Sequence, residues 1–297
     1  MNYLYYPGCS LEGTSREYDM STRALLSLLD VSIAEIPEWT CCGASAAESV
    51  SHLLSMALPA RVLAMAEKME NCDSVLVPCS ACYLNLKKVE ETVKTDHDLL
   101  KKINTVLAEE DLALKNVKNV KHLLEVLSKD IGAEPIYSKL KKSLSNLSIA
   151  PYYGCQCLRP FPVFDDPESP ASMEPLIQAT GASVFQWNMG GKCCGASQMT
   201  TKSNVAQNYV ADILRAAKGS DAIVTVCPMC QMNLEAFQKR ISNTTGENFN
   251  ISIIYLPQLI GIALGISEKE LGLNLNLSIT NDFKKKIKSL DQVAVAT

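Results

Sequence analysis

Cys41-Cys42-Gly43-Ala44-Ser45 returns letter for letter as Cys193-Cys194-Gly195-Ala196-Ser197. Outward from each copy the match continues. Upstream, Cys9 in Tyr6-Pro7-Gly8-Cys9 answers Cys155 in Tyr152-Tyr153-Gly154-Cys155; downstream, Cys79-x-x-Cys82-x-x-Asn85 answers Cys227-x-x-Cys230-x-x-Asn233. The spacings are C-x31-CC-x36-C-x-x-C and C-x37-CC-x32-C-x-x-C, so ten of the twelve cysteines fall into two sets of five. A recurrence at about 150 residues is the mark of a duplicated unit. Thiolates grouped this way hold soft metals, and five per set is one more than a tetrahedral zinc or a cubane cluster needs.

The cysteines sit in a strand-helix grammar. Tyr3 to Tyr6 reads as a short strand, Arg16 to Leu29 as a helix, Val31 to Ile36 as a second strand and Ser74 to Val77 as a third. Between the last two, Val50, Leu53, Leu54, Ala57, Leu58, Val62 and Met65 recur at helical intervals, with Pro59 expected to kink or divide the helix. The second half repeats this with strands at Ile149 to Tyr153, Ser183 to Gln186 and Ala222 to Val226. Lys121-His122-Leu123-Leu124 rhymes with Ile254-Tyr255-Leu256-Pro257, and extra helical sequence is expected near 88–115 in the first copy. The fold class is therefore α/β, two duplicated Rossmann-like domains, each a small parallel sheet flanked by helices. Lys139 to Ser148 reads as a polar connector, which places the division at 1–147 and 148–297.

Ligands of parallel sheets collect beyond the carboxyl ends of the strands, and each set follows three such ends. Helices beginning after Cys42, Cys82, Cys194 and Cys230 would aim amide N–H groups and the positive dipole end at an anionic centre. The glycines after the paired cysteines suit the tight backbone that adjacent thiolates need.

Composition narrows the function classes. With 297 residues, 47% of them hydrophobic, the chain can fill a core in each half. A net charge of −4 offers no field for nucleic acid, and the basic run Lys284-Lys285-Lys286-Ile287-Lys288 reads as a solvated helix face. Ile253 to Ile266, broken by Pro257, Gln258, Gly261 and Gly265, is too short to span a bilayer. The first residues lack the pattern of a secretory signal, so a cytoplasmic location is expected, where twelve cysteines mean metal or redox chemistry rather than a disulfide scaffold.

At these residues the chain resembles the CCG-domain proteins, and within them the B subunits of methanogen heterodisulfide reductase. The resemblance extends over Tyr5-Tyr6-Pro7-Gly8-Cys9-Ser10-Leu11-Glu12-Gly13 and Pro151-Tyr152-Tyr153-Gly154-Cys155-Gln156. It implies two noncubane 4Fe-4S clusters, one on Cys9, Cys41, Cys42, Cys79 and Cys82, the other on Cys155, Cys193, Cys194, Cys227 and Cys230. It also implies two-electron reduction of the coenzyme M-coenzyme B heterodisulfide to two thiols in a cleft shared by the clusters, where chemistry occurs at the clusters rather than at a catalytic side chain. The implied partners are a ferredoxin-like iron-sulfur protein and a flavin-containing protein of the same complex, with a hydrogenase or formate dehydrogenase upstream. A pair of one-electron centres suits a bond whose cleavage takes two electrons. Neither a ferredoxin cysteine run nor a Gly-x-Gly-x-x-Gly fingerprint occurs, so electrons must come from a partner.

Two other readings compete. One is the CCG subunit of a glycolate, lactate or succinate dehydrogenase-type complex; some such relatives carry a ferredoxin segment or one incomplete set, so two complete sets favour the first reading. The other is a zinc-stabilised binding module with no redox role. Lys192, beside Cys193, and Arg159, four residues after Cys155, are the candidate cations for the substrate's sulfonate and phosphate. Cys72, Cys157, Met56, Met65 and Met69 read as core. His52, His97 and His122 have no ligand spacing; His52, on a helix shortly after Cys41-Cys42, is better read as a solvated or packed residue than as a proton donor to the site.

Overall fold

The structure, a computed structural model, describes residues 1–44, 46–70 and 72–290. Ser45, the last letter of the first CCGAS copy, and the end of the expected second unit, beyond residue 290, lie outside them. Two four-stranded parallel sheets carry the chain. The first contains β1 (Asn2–Tyr5), β2 (Ser32–Glu35), β3 (Ser74–Val77) and β4 (Asn119–His122) in the order β2-β1-β3-β4. The second contains β5 (Ser148–Tyr152), β6 (Ser183–Val184), β7 (Ala222–Thr225) and β8 (Ser252–Tyr255) in the order β6-β5-β7-β8.

The α/β expectation of two related sheets flanked by helices holds, with a fourth strand added to each. Those fourth strands are the rhyming segments at His122 and Tyr255, whose pairing partners are β3 and β7. The inner strands are buried on both faces, as parallel sheets require: Val75, Leu76 and Val77 of β3 and every residue of β7 are inaccessible, and so is every residue of β8, although it lies at an edge. β2, at an edge, is largely exposed. In both sheets the chain leaves the first strand toward one edge and returns on its other side. The β1–β3 and β5–β7 gaps are therefore topological switch points, where a crevice opens beyond the carboxyl ends.

Several local expectations shift. The helix His52–Glu67 runs unbroken through Pro59; the interruption falls at Ser51, whose extended backbone and side-chain oxygen cap Leu54 N–H. Val50, at the end of the separate short helix Ala47–Val50, and Leu54 are exposed, and the long helix buries most of its other sides instead of one stripe. The helices after the Cys-x-x-Cys motifs begin earlier than expected, at Ser80 (Ser80–Val93) and Pro228 (Pro228–Ala236), with Cys79 and Cys227 as the N-cap residues. Neither Cys42 nor Cys194 leads directly into a long helix. The first copy's added helical sequence, through His97–Leu107, is a longer version of a second-copy counterpart at Gln238–Thr245.

The two halves interlock reciprocally. The helix Arg16–Leu28, after Cys9, packs on Leu256–Ala263, after β8; in return Glu174–Ala179, after Cys155, packs near the π-helical turn Val126–Ile131, after β4. Aromatic pairs repeat the exchange. Tyr18 and Phe164, each nine residues after the first cysteine of its set (18 − 9, 164 − 155), stack on Tyr255 and His122 of the opposite half. The connector is polar but anchored: Lys141 and Lys142 N–H donate to Ala263 O, and Leu144 and Leu147 are buried.

Candidate metal centre

Each five-cysteine set gathers at one switch point. Cys9 lies in the short helix Gly8–Glu12 directly after β1, Cys79 directly after β3, and Cys41-Cys42 in the loop after β2. Cys42 and Cys82 Sγ are 3.3 Å apart, and Cys9 and Cys41 Sγ 3.9 Å apart. In the second set Cys194 and Cys230 Sγ are separated by 3.5 Å. All ten thiols are free of disulfides. Cys42, Cys79, Cys82, Cys194, Cys227 and Cys230 are buried, whereas Cys9, Cys41 and Cys193 reach the surface.

Matching supports hold both sets. Gly43 N–H donates to Cys41 Sγ at 3.4 Å and Gly195 N–H to Cys193 Sγ at 3.3 Å. Asn85 and Asn233 donate to the carbonyls of Cys42 and Cys194 at 3.0 and 3.1 Å. Tyr6 and Tyr152 hydroxyls donate to the carbonyls of Thr40 and Lys192, the residues just before each Cys-Cys pair, at 2.8 and 2.7 Å. Gly8 (φ +72°) and Gly154 (φ +71°) sit where a Cβ would come within 2.8 Å of Cys82 Sγ and 2.9 Å of Cys230 Sγ. Only glycine lets the backbone approach that closely.

The electrostatics of the bare sets asks for cations. Cys42 is pulled down by hydrogen bonds from Cys41 and Cys82, Cys193 by one from Cys155, and Cys227 by one from Cys230. The partners Cys41, Cys82, Cys155 and Cys230 are pushed up, because a second thiolate beside the first would be unbalanced. The first turns of Ser80–Val93 and Pro228–Ala236 point their N–H groups at this charge. Among the described residues no three His, Cys, Asp or Glu side chains converge on a single ion; the sulfurs meet in pairs. Ten soft donors, amide N–H groups and glycine-cleared space fit an extended cluster in each half, and the cysteines named above would hold it.

A family profile for the CCG cysteine-rich domain matches residues 3–87 and again 149–235. The chain belongs to the CCG cysteine-rich domain family. Among CCG proteins it is 36% identical, over 93% of this chain and 96% of the relative, to the 8-methylmenaquinol:fumarate reductase membrane anchor subunit of Wolinella succinogenes. It is 28% identical, over 95% of each chain, to the B subunit of the ferredoxin/F(420)H(2)-dependent CoB-CoM heterodisulfide reductase of Methanosarcina acetivorans. A Helicobacter pylori hypothetical protein shares the fold with a TM-score of 0.75 at 14% identity; the match covers 95% of this chain and 52% of that one. No helix among the described residues is long and apolar enough to cross a membrane.

Other candidate residues stand apart from the sulfurs or are already engaged. Lys192 is exposed, beside Cys193. Arg159 is engaged by the carbonyls of Gly191 (3.3 Å) and Pro167 and by Glu168 at 3.2 Å. Cys157 is buried and donates to Tyr153 O, while Cys72, Met65 and Met69 pack at the core edge and Met56 within it. His52 and His97 are exposed.

The residues that join the two sites carry little signal in the sequence. Tyr18 OH lies 3.1 Å from both Pro78 O and Val226 O, the residues just before Cys79 and Cys227. Ser80 Oγ contacts His122 Nε2 and Val226 O, each at 3.2 Å. The shared nine-residue offset of Tyr18 and Phe164 is a signal that could have found that pair; His122 has none, because its role depends on the opposite half.

The two mouths differ. The first set opens onto a broad groove lined by Cys9, Cys41, Trp39 and the carboxylates Glu12, Glu35 and Glu38. The second encloses a cavity of about 50 Å³ among Cys155, Cys193, Cys194, Cys227 and Cys230, closed on one side by Ser80 from the first half.

Proposed function

We propose that this chain is an iron-sulfur component of a multi-subunit oxidoreductase, holding one noncubane 4Fe-4S cluster per five-cysteine set in units 1–147 and 148–297. The observation that carries the reading is the Tyr18 hydroxyl, which joins the two Cys-x-x-Cys loops through Pro78 O and Val226 O. Two sites backed onto one tyrosine suit an assembly that passes a pair of electrons in single steps. When bound, the clusters would supply those one-electron centres. The protein supplies the thiolates, the amide N–H groups and the burial that keeps water from the inner sulfurs.

Two reactions fit such a component. In one, the coenzyme M-coenzyme B heterodisulfide is cleaved, with a ferredoxin-like protein and a flavoprotein delivering electrons and Lys192 receiving an anionic group. In the other, the chain relays electrons within a fumarate or succinate-type complex. Two observations favour the second. A full-length relative at 36% identity is named as part of an 8-methylmenaquinol:fumarate reductase, and the first mouth is rimmed by Glu12 and Glu38, which oppose a sulfonate or phosphate, beside a Glu35 that is paired with Arg23. The relay therefore ranks first and heterodisulfide reduction second; in either case a cytoplasmic location is part of the proposal.

Anaerobic purification tests the shared part: about eight irons per chain with matching sulfide are expected, and stoichiometric zinc without visible absorption would reject it. The branches separate in two assays. Fumarate-dependent reoxidation of the reduced chain in the presence of its copurifying partners supports the relay. Viologen-driven cleavage of the heterodisulfide by the chain, without that reoxidation, reverses the order.

A further inference from the structure

The halves are not equivalent around their clusters, and one side chain makes the difference. Ser80, the first residue of its helix, corresponds to Pro228 in the second copy, each following the first cysteine of a Cys-x-x-Cys motif. The hydroxyl of Ser80 reaches beyond its own half. It crosses the seam, contacts Val226 O at 3.2 Å and lines the cavity formed by the second set. Pro228, at the matching place, has no hydroxyl to return.

The direction of this hydroxyl is set by His122. Leu124 N–H donates to Nδ1 at 3.2 Å, which leaves the proton of the neutral ring on Nε2, facing Ser80 Oγ at 3.2 Å. Complete burial keeps the ring neutral. Ser80 Oγ therefore accepts from His122 and gives its own proton to Val226 O, a carbonyl that also accepts from Tyr18 and so would keep a donor if the hydroxyl turned into the cavity it lines. Tyr83 edge-on and Phe164 face-on hold the imidazole in place.

We propose that Ser80, oriented by His122, is a positioning residue whose hydroxyl, turning from Val226 O into the cavity it lines, donates a hydrogen bond to the sulfur of the second cluster site and so raises that site's reduction potential above the first. Hydrogen bonds to cluster sulfur stabilise the more negative, reduced state. An electron entering at the open first mouth would then move toward the enclosed second site. The inference rests on the two-cluster reading given above.

The test is a redox titration of the anaerobically purified full chain, followed by electron paramagnetic resonance, with iron measured on the same samples. Ser80→Ala is expected to lower the potential of one cluster and leave the other in place, and Ser80→Thr, which keeps the hydroxyl, to restore it. His122→Phe is expected to shift the same cluster in the same direction by less. If Ser80→Ala moves neither potential, or moves both equally, at full iron content, Ser80 has no such role while the cluster reading stands. Wild-type protein without iron would reject the cluster reading itself.

Discussion

Tyr18 lies flat against Tyr255, its ring centroid 4.0 Å away and the planes 2° from parallel, although 237 residues separate them (255 − 18). The contact joins the halves beside both cysteine sets, since the Tyr18 hydroxyl also reaches the carbonyls before Cys79 and Cys227. Tyr18→Phe keeps the stack and loses the hydrogen bonds, at about 1 kcal/mol. Tyr18→Ala removes the ring from a fully buried place, at about 3–5 kcal/mol. Denaturant unfolding of the two variants checks the difference; equal losses would show that the stack contributes nothing.

Gly8→Ala and Gly154→Ala should each empty one cluster site. The added methyl would sit within 2.8 Å of Cys82 Sγ or 2.9 Å of Cys230 Sγ, on backbone already in the left-handed region. Each variant is expected to retain about half the wild-type iron, and the double variant almost none. Iron and sulfide analysis decides it; full iron in either single variant would mean that the glycine is not part of the cradle.

Asn85 and Asn233 hold the peptide of the second cysteine in each Cys-Cys pair. Replacing either with Ala leaves that carbonyl without its side-chain donor and should cost about 1 kcal/mol. The cluster of the altered half should also bleach faster in air, measured as loss of visible absorption.

Two buried groups give opposite pH dependences. Burial raises Glu235 from 4.5 to about 7, against the pull of Leu277 and Ser278 N–H. The folded chain thus holds this proton more tightly than the unfolded one, so the contribution is complete below pH 4.5 and is lost as pH rises through 7. The loss amounts to up to about 3 kcal/mol. Burial lowers His122 from 6.5 to about 3, so its contribution is complete above pH 6.5 and is lost as pH falls toward 3. In unfolding measured across this range, Glu235→Gln should lose less stability than the wild type from pH 4.5 to 7. His122→Gln should remove part of the acid-side loss instead.

Much of the architecture is legible along the chain. The strands before Cys9, Cys79, Cys155 and Cys227 show as short apolar runs, since a doubly buried parallel strand has little choice of composition. The fourth strands are visible only as a rhyme: Asn119–His122 is too polar and too brief to declare itself before β3 pairs with it. Pro59 misleads for a similar reason, because burial on most sides supports a turn that lost one hydrogen bond.

The sequence by itself determined the duplication, the parallel α/β class and the two groups of five thiols, because spacing and residue type are local properties that survive without coordinates. Only the tertiary structure decided how the halves meet. Tyr18, Phe164, Ser80 and His122 act across the seam, on partners in the opposite unit, and no periodicity within one unit records such a contact. It also decided that the two sites differ, one open and acidic, the other enclosed by a serine from its twin. A duplicated sequence implies symmetry, whereas the interface between its copies must be filled by side chains that need not match.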